Sequence, residues 1–167
     1  MQSASGGGPL AALATASAAE LLASIARAST NNWADARGVA AQAESLRDRA
    51  APLAGLSAEA FERALGADGG DYEVGRAYAH AVEPPLQIAE AAADVAQLAA
   101  LVAECGDPRR RADAVSAGLV AAGCARAAAE LVAVNLTVSA NDERVRRANL
   151  LADDAARTAE AARAARE

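Results

Sequence analysis

The chain has 167 residues, enough for one domain with its own core; alanine dominates, aromatics make up 2% and every basic residue is arginine. The net charge of −6 argues against a nucleic-acid partner, because phosphate recognition needs clustered cations. Two cysteines, Cys105 and Cys124, are too few for a disulfide framework. They read as reduced thiols of a cytoplasmic protein, and the first residues carry no basic region of a signal peptide.

Alanine has the best intrinsic helix propensity, and strand-type runs of Val, Ile, Thr and aromatics are missing. The expectation is an all-α fold: an antiparallel up-and-down bundle of about five to six helices in one domain over residues 1–167. The stretch "SASGGGPLAALATASAAELLAS" opens it, with helix one starting at Pro9 and running to about Ala28. Residues 1–8 are then either a flexible lead or a loop in which Gly6, Gly7 and Gly8 let backbone close on a ligand. "STNN" (29–32) reads as a cap or turn, and a second helix covers about 33–50. "APLAGLS" (51–57) reads as a break, with Ser57 capping the short helix "AEAFERAL". "GADGGD" (66–71) is the clearest loop, and Asp71 reads as the cap of a helix over 72–82.

Glu83-Pro84-Pro85 should kink or end that helix, since proline lacks the N–H donor and clashes with the preceding turn. Over 86–104, Ile88, Ala92, Val95, Ala99 and Val102 share one face at spacings of three and four. "CGDP" stops that helix, with Asp107 and Pro108 as N-cap and first-turn pair of the next. The run "RRR" at 109–111 reads as a solvated helix start. The next helix, about 109–138, is apolar enough to be central and buried. Arg126 and Glu130 interrupt it, so it lacks the roughly 18 uncharged residues of a membrane span. Asn141 reads as the cap of the last helix, whose first turn holds Asp142 and Glu143 and whose polar end should fray.

One polar constellation stands out. Tyr72, Arg76, His80 and Glu83 are spaced by four, four and three, which places them on one helix face. His80 is the only histidine, and a histidine and a carboxylate within one turn can serve as a proton-transfer pair. The plainer reading is a solvated face with local contacts of Arg76. One histidine and scattered carboxylates give no metal-ligand spacing, so no metal and no cofactor are expected.

Taken in order, "SGGGPLAALATASAAELLASIA", "LSAEAFERAL", "VEPPLQIAEAAADVAQLA" and "ECGDPRRRADAVSAGLVAAGCARAAAELVAVNL" resemble the cyclodeaminase/cyclohydrolase family over nearly the whole chain. The resemblance implies an all-helical dimer acting on one-carbon units carried by tetrahydrofolate, with a folate derivative as substrate. It implies ligand-binding roles for Gly6, Gly7 and Gly8, matched to the family's glycine turn, and for Asp113 and Asn135 at either end of the long apolar helix. Asp113 reads equally as a cap and Asn135 as a residue bonded to a neighbouring helix.

The chain departs from the family at positions that matter. The family's catalytic acids fall on Gly55 and Ser57, neither of which works as an acid or base near neutral pH. The family's lysine falls on Thr30, beside Trp33, and with no lysine anywhere Schiff-base chemistry is excluded. Three functions follow: a folate-dependent cyclohydrolase or cyclodeaminase, a repurposed relative, or a non-catalytic binding or assembly protein. The repurposed relative would catalyse elimination, dehydration or cyclisation on another small molecule. In it, His80 and Glu83 would be catalytic, and Trp33, Tyr72 and Arg76 would line the pocket. A homodimer is expected, because long small-residue faces bury area at low entropic cost and two-fold pairs are the commonest assembly.

Overall fold

The computed structural model describes residues 6–136 and 141–165. Among them are seven α-helices and no strand: α1 (Gly7–Ala28), α2 (Ala36–Ala50), α3 (Leu53–Leu65), α4 (Asp71–His80), α5 (Glu83–Cys105), α6 (Arg111–Asn135) and α7 (Glu143–Ala164). A 3-10 turn, Pro108–Arg110, leads into α6. Five helices, α1, α2, α5, α6 and α7, form the body, and α3 and α4 are appended at one end. One continuous core draws on every helix except α4. It is built almost wholly from alanine, valine, leucine and isoleucine, so the helices approach closely.

The face foreseen on α5 is buried throughout: Ile88, Ala92 and Val95 are fully covered and Ala99 and Val102 nearly so. The most deeply enclosed helix is α5, not α6. Thirteen of the 23 residues of α5 are buried, against ten of the 25 of α6. The apolar outer face of α6, with Leu119, Val120 and Val134, stays open. Three stretches, Gly7–Ala28, Asp71–Cys105 and Pro108–Asn135, have the length and apolarity of a membrane span, so Arg126 and Glu130 do not decide that question by composition. Half or more of each apolar window is packed inside the bundle, which accounts for its composition.

Several boundaries differ from the expectations, each for a local reason. Helix one starts at Gly7, two residues before Pro9, so Pro9 sits within the first turn, where its missing N–H costs nothing. The second helix begins at Ala36 because residues 29–33 are pinned in turns, Asn32 and Trp33 both donating N–H to the Ser29 carbonyl. The break in "APLAGLS" is only two residues, Ala51 and Pro52: α3 opens at Leu53, and Ser57 lies inside it, buried, rather than capping it. Gly70 takes the N-cap position of α4 and Asp71 is its first residue. Glu83-Pro84-Pro85 opens α5 rather than ending α4, since prolines in a first turn sacrifice no bond.

Asp107 caps as foreseen, accepting from the Arg109 N–H at 3.0 Å. At α7 the cap is Asp142, not Asn141; its carboxylate accepts from the Arg144 N–H at 2.9 Å. The last helix extends to Ala164. Arg111 satisfies carbonyls there, donating to Ala162 at 2.8 Å and to Ala103 of α5 at 2.7 Å. Residues 137 and 138, expected to finish the long helix, lie outside the described residues.

Candidate functional site

The bundle has two ends, and the candidate residues divide between them. At one end the last turn of α1 meets the 3-10 turn: the buried Ser29 hydroxyl donates to the Ile25 carbonyl at 2.9 Å and accepts from the Asp107 N–H at 2.9 Å. Trp33 belongs to this end and packs, half-buried, on the core. Asp113 is exposed in the first turn of α6 nearby, and Thr30 donates to the Arg27 carbonyl. At the other end stand the first turn of α1, α3, α4, the start of α5 and the end of α6. Helix α1 rises about 1.5 Å per residue, so roughly 30 Å separates the two ends. Trp33 and Asp113 therefore share no site with His80 or Asn135 within one subunit.

Residues 1–5 of the expected lead lie outside the described residues, and the glycines themselves belong to the start of α1. Gly6 takes the N-cap position and Gly7 and Gly8 are helical. Gly8 is buried where α1 presses on α3: a Cβ there would lie 1.9 Å from the Ser57 Oγ and 2.9 Å from its Cβ. A Cβ at Gly7 would meet Leu131 of α6 at 3.5 Å. Gly8 serves helix packing, Gly6 is exposed with open space around it, and none of the three lines a cavity described below. Ser57, which the resemblance matched to a catalytic acid, is sealed beneath Gly8, while Gly55 is exposed with open space around it.

Two cavities flank α4. The larger, about 890 Å³, lies between α4, the end of α6 and the start of α7. Tyr72, Arg76 and Asn135 line it together, as do Tyr78 and Arg144, over an apolar floor that includes Val74, Val134 and Leu136. The smaller, about 520 Å³, lies on the opposite side, among α3, α4 and the first turns of α5. His80 and Glu83 line it together with Arg63 and Gln87. Glu83 Oε1 accepts from Gln87 Nε2 at 2.8 Å, one helical turn on, which fixes the carboxylate at the rim.

The four-residue face is thus divided. Helical residues advance 100° each, so a spacing of four drifts by about 40° and His80 stands about 80° round from Tyr72. Glu83 is on a different helix, because the chain turns at Ala81 and Val82 before the prolines. His80 and Glu83 line the smaller cavity, while Tyr72 and Arg76 line the larger one with Asn135.

Among the lining residues that the sequence reading missed are Arg144 and Tyr78 on the larger cavity and Arg63 and Gln87 on the smaller. Arg144 grips Asp142 through Nε at 3.0 Å and Nη2 at 2.8 Å, and its Nη1 donates to the Ala79 carbonyl of α4 at 2.9 Å. The guanidinium holds the Asp142 carboxyl down at about 2, with the Arg144 N–H adding to the effect. A signal was there to be read: Asp-x-Arg at a helix start recurs at Asp107 and Arg109 with the same fork geometry. Arg76 has no ion pair among the described residues. The described residues hold no cluster of three metal-ligating side chains. Burial raises the Cys124 thiol above its ordinary range, opposed by a hydrogen bond with Thr15; Cys105 is exposed.

An all-α bundle with a cleft built around one short helix is the class this geometry defines. The formiminotransferase-cyclodeaminase family model matches residues 1–154, and the chain belongs to that family. Among solved structures the chain is similar to formiminotetrahydrofolate cyclodeaminase from Thermotoga maritima, at 18% identity with a TM-score of 0.78, over 93% of this chain and 82% of that one. That likeness is one of fold. No match was found among curated proteins.

Proposed function

We propose that this chain is a repurposed member of the formiminotransferase-cyclodeaminase family that acts on a small molecule other than a folate, at the cleft around α4. The observation that carries the reading is the grouping of polar side chains on the two cavities flanking α4, while the positions matched to the family's acids hold Gly55 and a sealed Ser57. Arg76 offers a cation to an anionic group, Tyr72 and Tyr78 offer flat faces, and Asn135 offers both a donor and an acceptor. His80 and Glu83 supply the proton-transfer pair for an elimination, dehydration or cyclisation, His80 exchanging the proton and the Gln87-held carboxylate assisting.

Native mass spectrometry with formiminotetrahydrofolate and a panel of small carboxylic acids tests this directly. Trp33 fluorescence is a poor reporter, since that ring lies at the far end of the bundle. The expected result is retention of an acid and not of the folate; folate retention alone would restore the folate enzyme as the reading, which family membership supports. Once a turnover is found, His80→Ala and Glu83→Ala should each lower it by about 10²-fold or more. Unchanged rates would remove the pair from catalysis.

The assembly proposed is a homodimer in the cytoplasm. Leu10 and Leu13 of α1 and Leu119, Val120 and Val134 of α6 stand exposed on adjoining helices, and a second copy is the occupant that would cover them.

A further inference from the structure

We infer that α4 is a hinged cover, held shut by one arginine latch, and that its release joins the two cavities into a single cleft. Of the seven helices, α4 alone has no buried residue. It rests on the bundle through Ala77 and Tyr78, which pack on the small satellite cluster of Ala60, Ala64 and Ala81, and it meets the main core only through the partly buried Ala79. Both its faces look onto cavities, so packed matter is scarce on either side. An element with few buried contacts opens at a low free-energy cost relative to the core.

The ends of α4 suit a hinge and a free edge. Beyond its C-terminus, Val82 is fully buried in the main core and fixes the pivot. Before its N-terminus runs Gly66-Ala67-Asp68-Gly69-Gly70, with Gly69 at φ 139°, a conformation that side chains rarely adopt. That tether yields easily while the pivot does not.

The latch is Arg144. Its Nη1 donates to the Ala79 carbonyl, one of the carbonyls a helix leaves without an internal partner at its C-terminus. A cation there also meets the negative end of the helix dipole. Asp142 holds the other edge of the same guanidinium, so the latch is aimed by the residue that caps α7. In the described residues this is the one side-chain hydrogen bond between α4 and the five-helix body. The inference stands without a ligand, so its failure and that of the proposed function are separate.

Amide hydrogen exchange on the full chain, read by mass spectrometry, tests it. In the unaltered protein, peptides over 71–80 should exchange at least about tenfold faster than those over the centre of α5. Arg144→Ala should speed α4 severalfold further and leave α5, α6 and residues 145–152 of α7 unchanged, because the Asp142 carboxylate caps the backbone N–H of residue 144, which the substitution keeps. Arg144→Lys, which keeps the charge without the fork, should fall between the two. The inference is overturned by α4 exchanging at the rate of α5. It is equally overturned by Arg144→Ala leaving α4 unaltered, or by that variant loosening α7 as much as α4.

Discussion

Gly8 shows how much one side chain decides at the start of this bundle. The contact with Ser57 leaves no room for a methyl, whereas helix propensity alone favours alanine over glycine by about 1 kcal/mol. Overpacking costs about 1–3 kcal/mol, so strain should win and Gly8→Ala should destabilise by about 1–2 kcal/mol in urea denaturation. Adding Ser57→Gly removes both clashing atoms and should recover most of that loss. A neutral Gly8→Ala would mean that α3 yields without resistance. The glycine run itself was plain in the sequence, but its purpose was not: a flexible lead, a ligand loop and a tight helix contact require the same residue. Only the neighbour, Ser57, separates them, and it lies some fifty positions away.

Asp142 gives a second residue-scale outcome, with its sign set by the arginine beside it. Its carboxyl titrates at about 2 in the folded chain, against an ordinary unfolded value of about 3.9. A depressed folded value means the stabilisation is complete above the unfolded value and is lost as pH falls through the folded one. Thermal stability should therefore drop between about pH 4 and pH 2 in part through Asp142. Asp142→Asn, which still caps the helix, should flatten the melting curve against pH in that window. An unchanged acid slope would show that the pair with Arg144 adds nothing to folding.

At the scale of elements, the helices themselves were legible because propensity, caps and proline placement act within a few residues. The face of α5 and the cap at Asp107 could be read by counting. The errors share one cause. Ser57, Asp71 and Asn141 all have the chemistry of a cap, and a competing local choice a few residues away took the role: Pro52, Gly70 and Asp142. The grouping of Tyr72, Arg76, His80 and Glu83 failed differently. It assumed a continuous helix across Ala81 and Val82 and ignored the drift of a four-residue spacing. The four residues accordingly fall on two cavities rather than one.

For the whole molecule, the low aromatic content has a consequence that one subunit does not resolve. Helix α6, which lies in the most apolar of the three long stretches, keeps Leu119, Val120 and Val134 exposed. Burying such side chains gains about 25 cal/mol per Å² of apolar surface, which favours a partner of the same kind. Sedimentation at micromolar concentration should give a dimer mass, and Val120→Glu with Leu13→Glu should shift it to monomer while circular dichroism stays helical. A monomer for the unaltered chain would remove the proposal.

The amino-acid sequence by itself determined that this protein is helical, where most of its helices lie and which side of α5 faces inward, because those properties follow from backbone propensity and from periodicity along one helix. It also carried the family, through the order of motifs over nearly the whole chain. Tertiary structure alone decided that Trp33 and Asp113 stand a bundle's length from His80, that Gly8 closes on Ser57, and that Arg144 reaches across from α7 to hold α4. Each of these depends on which helices are neighbours and how far they are rotated, and neither quantity is contained in a spacing along the chain.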